Sequence, residues 1–239
     1  MQYKRILLKI SGEALSGPQK FGVSYENCRD MALAIQEMRK LGLQVAVVVG
    51  GGNIFRGVNL KELGMERTPA DHIGMLATMI NGISLQQALQ SVGCPARVMS
   101  AIEAPRVVEP YNWYRAQELL EIGETLVFVG GTGNPYFTTD TAAALRASEI
   151  QADALFKATK VDGIYNKDPL KYPNAVKYDQ ITYSQVLAEK LEVMDATAIT
   201  LCRSSNVPIL VFNMQLLTDH RIADVISSNL GTIVKESLI

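Results

Sequence analysis

The chain has 239 residues, of which 48% are hydrophobic and 20% charged, and its formal net charge is -1. This composition is typical of a globular protein with a sizeable core, and the charge balance excludes a broadly basic surface for nucleic acid or an anionic membrane. No stretch approaches the roughly 20 apolar residues of a membrane span, and the N-terminal apolar run is too short for a signal peptide. We therefore expect a cytoplasmic protein with no nucleic-acid or membrane partner.

Three cysteines, Cys28, Cys94 and Cys202, are scattered along the chain without a CxxC spacing. An odd, scattered set argues against a disulfide framework and against a zinc site. The three are expected to be small buried hydrophobic residues.

Short apolar runs rich in β-branched residues predict seven buried strands. They cover Arg5–Ile10, Gln44–Val49, Arg97–Ser100, Thr125–Val129, Ala154–Ala158, Ile209–Asn213 and Thr232–Val234. Continuous apolar character without alternation is typical of a parallel sheet that is covered on both faces.

Helical patterns lie between these runs. They cover Ser24–Leu41, Ala70–Val92, Trp113–Ile122, Thr139–Ile150, Ser184–Lys190, Ala196–Ser205 and His220–Ser227. The alternation of strands and helices predicts an α/β fold, a doubly wound and mostly parallel sheet in a single domain over residues 1–239. Only Asn166–Gln180 is predicted to be a long loop, because its prolines and polar residues disfavour a regular element.

Four of the predicted strands end in glycine, hydroxyl or lysine residues. Ligands of open parallel sheets bind beyond the carboxyl ends of the strands, so these four ends should line one site. The segments are Lys9–Gly12, Gly50–Asn53, Gly130–Asp140 and Lys157–Gly163. Glycine amides and a helix start after Thr138 suit phosphate oxygens. Positive charge would come from Lys9, Arg56, Lys157 and Lys160.

Each of these features also has an ordinary structural explanation. Three glycines can form a plain strand-to-helix turn, and Thr139 and Asp140 can cap a helix. Lys9 and Lys157 can be solvated strand ends. Four such coincidences at one edge favour a single anion site over four unrelated features.

Other kinds of site find little support in the sequence. There is no G-x-x-x-x-G-K-[ST] motif, and no G-x-G-x-x-G follows the first strand. His72 and His220 are the only histidines, and neither has a triad or metal spacing. Tyr111, Trp113 and Tyr114 are expected to pack on a helix, because they do not alternate with basic residues on a strand.

Six stretches together resemble the bacterial UMP kinases of the amino acid kinase fold. They are "KRILLKISGEAL", "VVVGGGNIFRG", "DHIGMLATMINGISLQQAL", "GGTGNPYFTTDTAAALRASEI", "KATKVDGIYNKDP" and "VMDATAITLCRSSNVPILVFN". The likeness covers nearly the whole chain. The combination of GGGN-x-FRG, DH-x-GM, TGNP-x-FTTD and KATKVDG is specific to this family.

The resemblance implies transfer of the ATP γ-phosphoryl group to UMP with Mg²⁺, which gives UDP and ADP in pyrimidine nucleotide (CTP) biosynthesis. It also implies a homohexamer built of dimers, activation by GTP and inhibition by UTP.

Carried over residue by residue, the resemblance implies three groups of binding residues and no assigned metal ligand. ATP is expected at Lys9, Ile10, Ser11, Gly12, Gly52, Arg56, Thr159, Tyr165 and Asp168. UMP is expected at Gly51, Asp71, Thr132, Gly133, Asn134, Pro135, Tyr136, Phe137, Thr138 and Thr139. GTP is expected to act at Gly17, Pro18, Gln19, Lys20, Phe21 and Gly22.

Within this site Lys9 and Lys157 are the candidates for neutralising charge on the transferring group. Asp140 is the candidate that orients them or reaches the metal through water. Phosphoryl transfer depends on positioning and charge neutralisation, and the anionic UMP oxygen needs no general base. The backbone at Gly51 and Gly52 is expected to pass between the two sets of phosphates, where a Cβ would separate the reactants.

Asp71 has two possible roles. A carboxylate accepts hydrogen bonds from two neighbouring hydroxyls, so Asp71 suits the ribose diol of UMP. The structural alternative is that Asp71 caps a helix that begins near Ala70.

Two rival functions remain open at this stage. One is another kinase of this fold that acts on carbamate or an acidic amino acid, which the TGNP stretch and Asp71 disfavour. The other is a catalytically silent nucleotide-binding regulator or storage protein, which would be expected to lose Lys9 and Lys157 while keeping the glycines.

Overall fold

The structure is a computed structural model that describes residues 3–19, 21–55, 64–191, 193–228 and 230–236. The strands are β1 (Arg5–Ile10), β2 (Gln44–Val49), β3 (Ala96–Ser100), β4 (Glu109–Pro110), β5 (Thr125–Val129), β6 (Ala154–Thr159), β7 (Ile164–Tyr165), β8 (Lys177–Tyr178), β9 (Gln180–Thr182), β10 (Ile209–Asn213) and β11 (Thr232–Lys235). The helices are α1 (Tyr25–Lys40), α2 (Arg67–Ser91), α3 (Trp113–Glu121), α4 (Thr139–Glu149), α5 (Tyr183–Ala188), α6 (Ala196–Ser204), α7 (Gln215–Thr218) and α8 (Ile222–Ser228).

In this part of the chain the central sheet has the strand order β4-β3-β5-β2-β1-β6-β10-β11-β9, and β7 pairs with β8 in a separate hairpin. The strands from β4 to β10 in that order run parallel, whereas β11 is antiparallel to β10 and parallel to β9. The four strands whose ends carry the candidate residues, β5, β2, β1 and β6, are consecutive neighbours. The predicted meeting of these ends at one edge is therefore confirmed.

The sheet separates two hydrophobic cores. On β1, Ile6, Leu8 and Ile10 belong to one core, and Leu7 belongs to the other. The first core includes buried residues of α1, α2, α7 and α8. The second includes buried residues of α3, α4, α5 and α6. Both faces of the sheet are thus covered, as the continuous apolar strands predict.

The predicted α/β class is confirmed, and each of the seven predicted strands is present with ends within one residue of the prediction. The prediction that Asn166–Gln180 lacks regular elements is wrong. Ile164 pairs with Tyr178 and Tyr165 with Lys177, so this segment returns as a hairpin. Two-residue strands are too short to produce a periodic signal, which also explains why β4 was not predicted.

Helix α2, the longest described helix, begins at Arg67, three residues before its predicted start. Among the described residues no helix combines the length and apolar character of a membrane-spanning segment. Buried residues of α2 contribute to the first core, and Gly82 lies against β5. A Cβ at Gly82 would stand 2.3 Å from Cγ1 of Val129, whereas a Cβ at Gly74 would have no atom within 4 Å.

The two helix glycines give opposite expectations for stability. Gly82→Ala should destabilise the fold by about 1–3 kcal/mol, because the stiff Val129 side chain cannot rotate away without strain. Gly74→Ala should stabilise it by about 0.5–1 kcal/mol, because alanine has the better helix propensity and meets no neighbour. Urea denaturation gives the free energy of unfolding of both variants. Equal changes of the same sign would contradict the packing of α2 on β5.

Candidate active site

A buried ion cluster lies at the carboxyl edge of the sheet. The register of β1 and β6 places Lys9 directly beside Lys157, and both side chains point toward the start of α4. Lys9 Nζ lies 2.8 Å from Oδ1 of Asp140, and Lys157 Nζ lies 2.8 Å from its Oδ2. Lys157 Nζ also donates to the carbonyl of Val193. The structure thus brings together the three residues that the sequence identifies as catalytic candidates.

The cluster changes the proton affinity of its members. Burial alone would raise the pKa of the Asp140 carboxyl, but the charges of Lys9 and Lys157 outweigh burial and hold that pKa below its ordinary value. Burial lowers the pKa of Lys157, and the attraction of Asp140 offsets this only in part. With all three groups charged, the cluster carries a net charge of about one positive unit.

Asp195 holds the start of α4 in place, and the sequence reasoning did not identify it. Its carboxylate accepts hydrogen bonds from the hydroxyls of Thr138 and Thr141. Thr138 is the N-cap of α4 and accepts from the N–H groups of Asp140 and Thr141. Asp195 also caps α6 through the N–H of Ala198. An Asp directly before a helical pattern is a recognisable N-cap signal, but the contact with α4 is tertiary.

The glycine loop after β2 meets the end of β1. Gly50 donates its N–H to the carbonyl of Ile10, whose side chain is buried in the core. A Cβ at Gly12 would lie 2.6 Å from the Gly50 carbonyl oxygen, so the two segments touch through bare backbone. Ser11 caps the short 3-10 turn after β1 by accepting from the N–H of Glu13.

Helix α2 packs against Gly51. A Cβ there would lie 2.7 Å from the Gly74 carbonyl oxygen and 2.9 Å from Ala77 Cβ, so the helix excludes a side chain at this position. At Gly52 a Cβ would meet no atom within 4 Å. Of these two glycines, only Gly52 has room for a Cβ. Arg56 lies outside the described residues.

A cavity of about 590 Å³ opens between the end of β6 and the β7–β8 hairpin. Its lining includes Lys157 and the three expected ATP-site residues Thr159, Tyr165 and Asp168. Tyr165 donates its hydroxyl to Asp162, and Asp168 accepts from the N–H of Leu170. The volume lies within the usual range for small-molecule sites, and Lys157 links the cavity to the ion cluster.

Lys160, the other lysine expected to supply positive charge, does not reach the ion cluster. Its Nζ lies 2.8 Å from a carboxylate oxygen of Glu13, and its side chain is largely exposed. This pair joins the end of β6 to the turn after β1.

Asp71 contacts the loop that follows β5. Its Oδ2 accepts the N–H of Tyr136 at 2.7 Å, and Arg67 Nε donates to both carboxylate oxygens. Because α2 begins at Arg67 with Glu66 at its N-cap position, Asp71 lies in the second turn. The helix-cap explanation of Asp71 is therefore wrong.

The loop of residues 132–139 brings the remaining expected UMP residues to the same region. Tyr136 has a left-handed backbone with a φ of 72°, and its side chain and that of Phe137 are exposed. Thr132 accepts the N–H of Asn134, and Gly133 donates its N–H to the carbonyl of Gly130. Pro135 lies in the same turn, and Thr139 begins helix α4.

The stretch expected to respond to GTP is joined to the glycine loop. Gly22 donates its N–H to the Asn53 carbonyl, and the Asn53 side chain donates back to the Gly22 carbonyl. Gly17 and Pro18 begin a short 3-10 turn that ends at Gln19, and Phe21 is exposed. Lys20 lies outside the described residues.

Known proteins share this fold and much of this sequence. The sequence model of the amino acid kinase family matches residues 4–213. A uridylate kinase from Protochlamydia amoebophila (strain UWE25) is 61% identical, over 99% of this chain and 94% of the relative, and one from Dichelobacter nodosus (strain VCS1703A) is 49% identical over 98% and 96%. The crystal structure of UMP kinase from Ureaplasma parvum superimposes with a TM-score of 0.92 at 39% identity, covering 99% of this chain and 100% of that one.

The ion cluster predicts an unusual titration of Lys157. In protein labelled with ¹³C at the lysine ε carbon, the Lys157 signal, assigned through Lys157→Arg, should titrate below the ordinary lysine value of 10.5. In Asp140→Asn its midpoint should fall further, because the variant removes the main charge that raises this pKa while burial still lowers it. An unchanged or higher midpoint in Asp140→Asn would contradict the described charge cluster.

Proposed function

The chain belongs to the amino acid kinase family and is a kinase, and we propose that it transfers the γ-phosphoryl group of ATP to UMP, giving ADP and UDP. The observation that supports this most is the pair of lysines that share the buried carboxylate of Asp140, at the edge where four strands end. Their net positive charge suits the negative charge on a transferring phosphoryl group, because this reaction depends on positioning and electrostatic stabilisation.

ATP would occupy the cavity that ends at Lys157. The nucleoside would lie among the residues near Tyr165 and Asp168, and the phosphates would extend toward Lys9 and Lys157. The space beside Gly52, where a Cβ would meet no atom within 4 Å, would let the glycine loop lie close to the phosphates. This orientation puts the γ-phosphoryl group at the ion cluster.

A kinase of this kind uses a divalent metal, and we propose Mg²⁺. Among the described residues no three His, Cys, Asp or Glu side chains form a metal cluster, and both oxygens of Asp140 already face lysines. This donor set fits a Mg²⁺ held mainly by substrate phosphates and water, which is how Mg²⁺ ordinarily binds beside one or two carboxylates. Asp140 is the carboxylate that would hold it, through water. When bound, the ion would neutralise charge on the phosphates.

UMP would bind on the side of α2 and of the 132–139 loop. Asp71 would accept hydrogen bonds from the ribose hydroxyls while its Oδ2 also holds the N–H of Tyr136. The phosphate of UMP would then face the start of α4, where the helix N-terminus and the lysines favour an anion. In this arrangement Lys9 and Lys157 neutralise charge, Asp140 orients both, and the anionic UMP oxygen attacks without a general base.

The wider biology of the protein is part of the same proposal and rests on its likeness to uridylate kinases. We propose a single domain over residues 1–239, a homohexamer, activation by GTP, inhibition by UTP, a cytoplasmic location and a role in pyrimidine nucleotide biosynthesis. Because Lys9 and Lys157 both lie in the ion cluster, a catalytically silent regulator is disfavoured.

A comparison of acceptors tests the proposed function, and Lys9 tests its mechanism. ADP release from ATP should require UMP and should not occur with glutamate or carbamate.

Lys9→Ala should lower kcat by about 10²–10³, because an electrostatic contact of the transition state is lost, while the KM for UMP moves much less. Lys40→Ala, an exposed lysine on α1, is the matched control. A near-native kcat in folded Lys9→Ala would contradict the role of Lys9.

Discrimination between UMP and dUMP tests Asp71. Charge-assisted hydrogen bonds contribute about 1.5–3 kcal/mol each, so the enzyme should prefer UMP in kcat/KM by roughly tenfold to a hundredfold. Asp71→Asn should remove much of this preference, because an amide satisfies the diol only in part. Its remaining amide oxygen can still accept the N–H of Tyr136, so the melting temperature should change little. A UMP/dUMP ratio that stays at the wild-type value would remove Asp71 from the site.

A further inference from the structure

Asn53 and Asn81 form a buried pair of side-chain amides beside the glycine loop. The two residues are 1% and 0% exposed. Nδ2 of Asn53 donates to Oδ1 of Asn81 at 2.9 Å, and Nδ2 of Asn81 donates to Oδ1 of Asn53 at 2.7 Å. The second N–H of each amide binds a backbone carbonyl, that of Gly22 for Asn53 and that of Gly50 for Asn81, both at 2.7 Å. All four amide N–H groups are therefore used.

This amide pair supports both segments that would face the donor phosphates. Asn81 holds the carbonyl of Gly50, at the start of the glycine loop. A Cβ at Gly12 would lie 2.3 Å from Oδ1 of Asn53 and 3.1 Å from Nδ2 of Asn81, so the backbone after β1 rests directly on the pair. A buried, fully hydrogen-bonded network of this kind has one arrangement, because every alternative leaves polar groups unsatisfied.

Helix α2 connects the amide pair to the acceptor side of the site. Asp71 lies ten residues before Asn81 on this helix, about 15 Å along its axis at 1.5 Å per residue. Between them, the hydroxyl of Thr78 accepts the N–H of Gly130 at the end of β5. One helix thus holds the ends of β2 and β5 and also carries the residue assigned to the UMP ribose.

We propose that Asn53 and Asn81 act as one positioning unit. The unit fixes the protein backbone at Gly12 and Gly50, which would face the ATP phosphates, relative to the UMP site on α2. The inference rests on the proposed function. Both side chains are buried and their amide N–H groups all bind protein oxygens, so we assign them as positioning residues. Their loss should misalign the two phosphates and lower kcat, while each nucleotide still finds its own binding contacts.

The kinetic test compares turnover with binding. Asn81→Ala and Asn53→Ala should each lower kcat about 10²-fold, the cost of a small misplacement of reacting groups, with Kd values for UMP and a non-hydrolysable ATP analogue within about threefold of wild type. Because the two residues act together, the double variant should lose about as much kcat as either single variant. The proposal would be overturned by a near-native kcat in the single variants or by a tenfold rise in both Kd values. It would also be overturned if the double variant lost kcat by the product of the two single losses.

A stability control separates positioning from general weakening. Thr125→Val removes a buried hydroxyl at the opposite end of β5, next to Cys94. It should lower the melting temperature without lowering kcat. If Asn81→Ala does not fold, Asn81→Ser, whose hydroxyl can still donate one hydrogen bond, takes its place under the same criteria.

Hydrogen exchange gives a readout that does not require turnover. In Asn81→Ala the backbone N–H groups of Gly22 and Gly50 should exchange faster than in wild type, whereas that of Gly130, held by Thr78, should not change. Unchanged exchange at Gly22 and Gly50 would overturn the positioning role. If the wild type does not phosphorylate UMP, the proposed function fails, and this exchange comparison still decides whether the pair holds the loop.

Discussion

The carboxylate of Asp140, shared between Lys9 and Lys157, is the interaction on which the rest of the site depends. Parallel pairing of β1 and β6 places Lys9 and Lys157 side by side on neighbouring strands. Two buried like charges on such neighbouring residues would repel strongly. One carboxylate between them makes the arrangement stable and still leaves positive charge for an anion. That geometry requires the first turn of α4 to lie over both strands, and Asp195 holds it there through Thr138.

The two faces of the sheet supply different parts of the site. Helix α4, on one face, brings the charge that balances the lysines, and α2, on the other, holds the loops that would cradle and separate the nucleotides. The faces meet at the sheet edge, where a Cβ at Gly50 would lie 3.5 Å from the Thr139 hydroxyl. Phosphoryl transfer depends on such placement, because the protein contributes position and charge and little covalent chemistry.

Much of the fold follows from local patterns, because apolar runs of three to six residues mark the main strands and longer periodic patterns mark the helices. The position of the site also follows, since neighbouring parallel strands end at one edge. Local patterns do not show what tertiary contact decides. Helix α2 excludes a side chain at Gly51, and the start of α2 lies three residues before its predicted position because it lacks a side-chain cap bond to mark it. Asn81 and Asp195 reach segments far away in sequence, so local spacing gave no signal for either contact.

Burial of the two lysines strengthens the attraction that they would exert on a phosphate, and it also limits that attraction. A charge withdrawn from water acts on a nearby phosphate with less screening, which would let a chain of net charge -1 bind an anion at the proposed site. Burial also lowers the pKa of Lys157, so the residue holds its proton less firmly. Asp140 opposes this loss, but it also cancels part of the positive field. The cluster is therefore a balance between buried positive charge, which would attract a phosphoryl group, and the counter-charge of Asp140, which opposes the loss of the Lys157 proton.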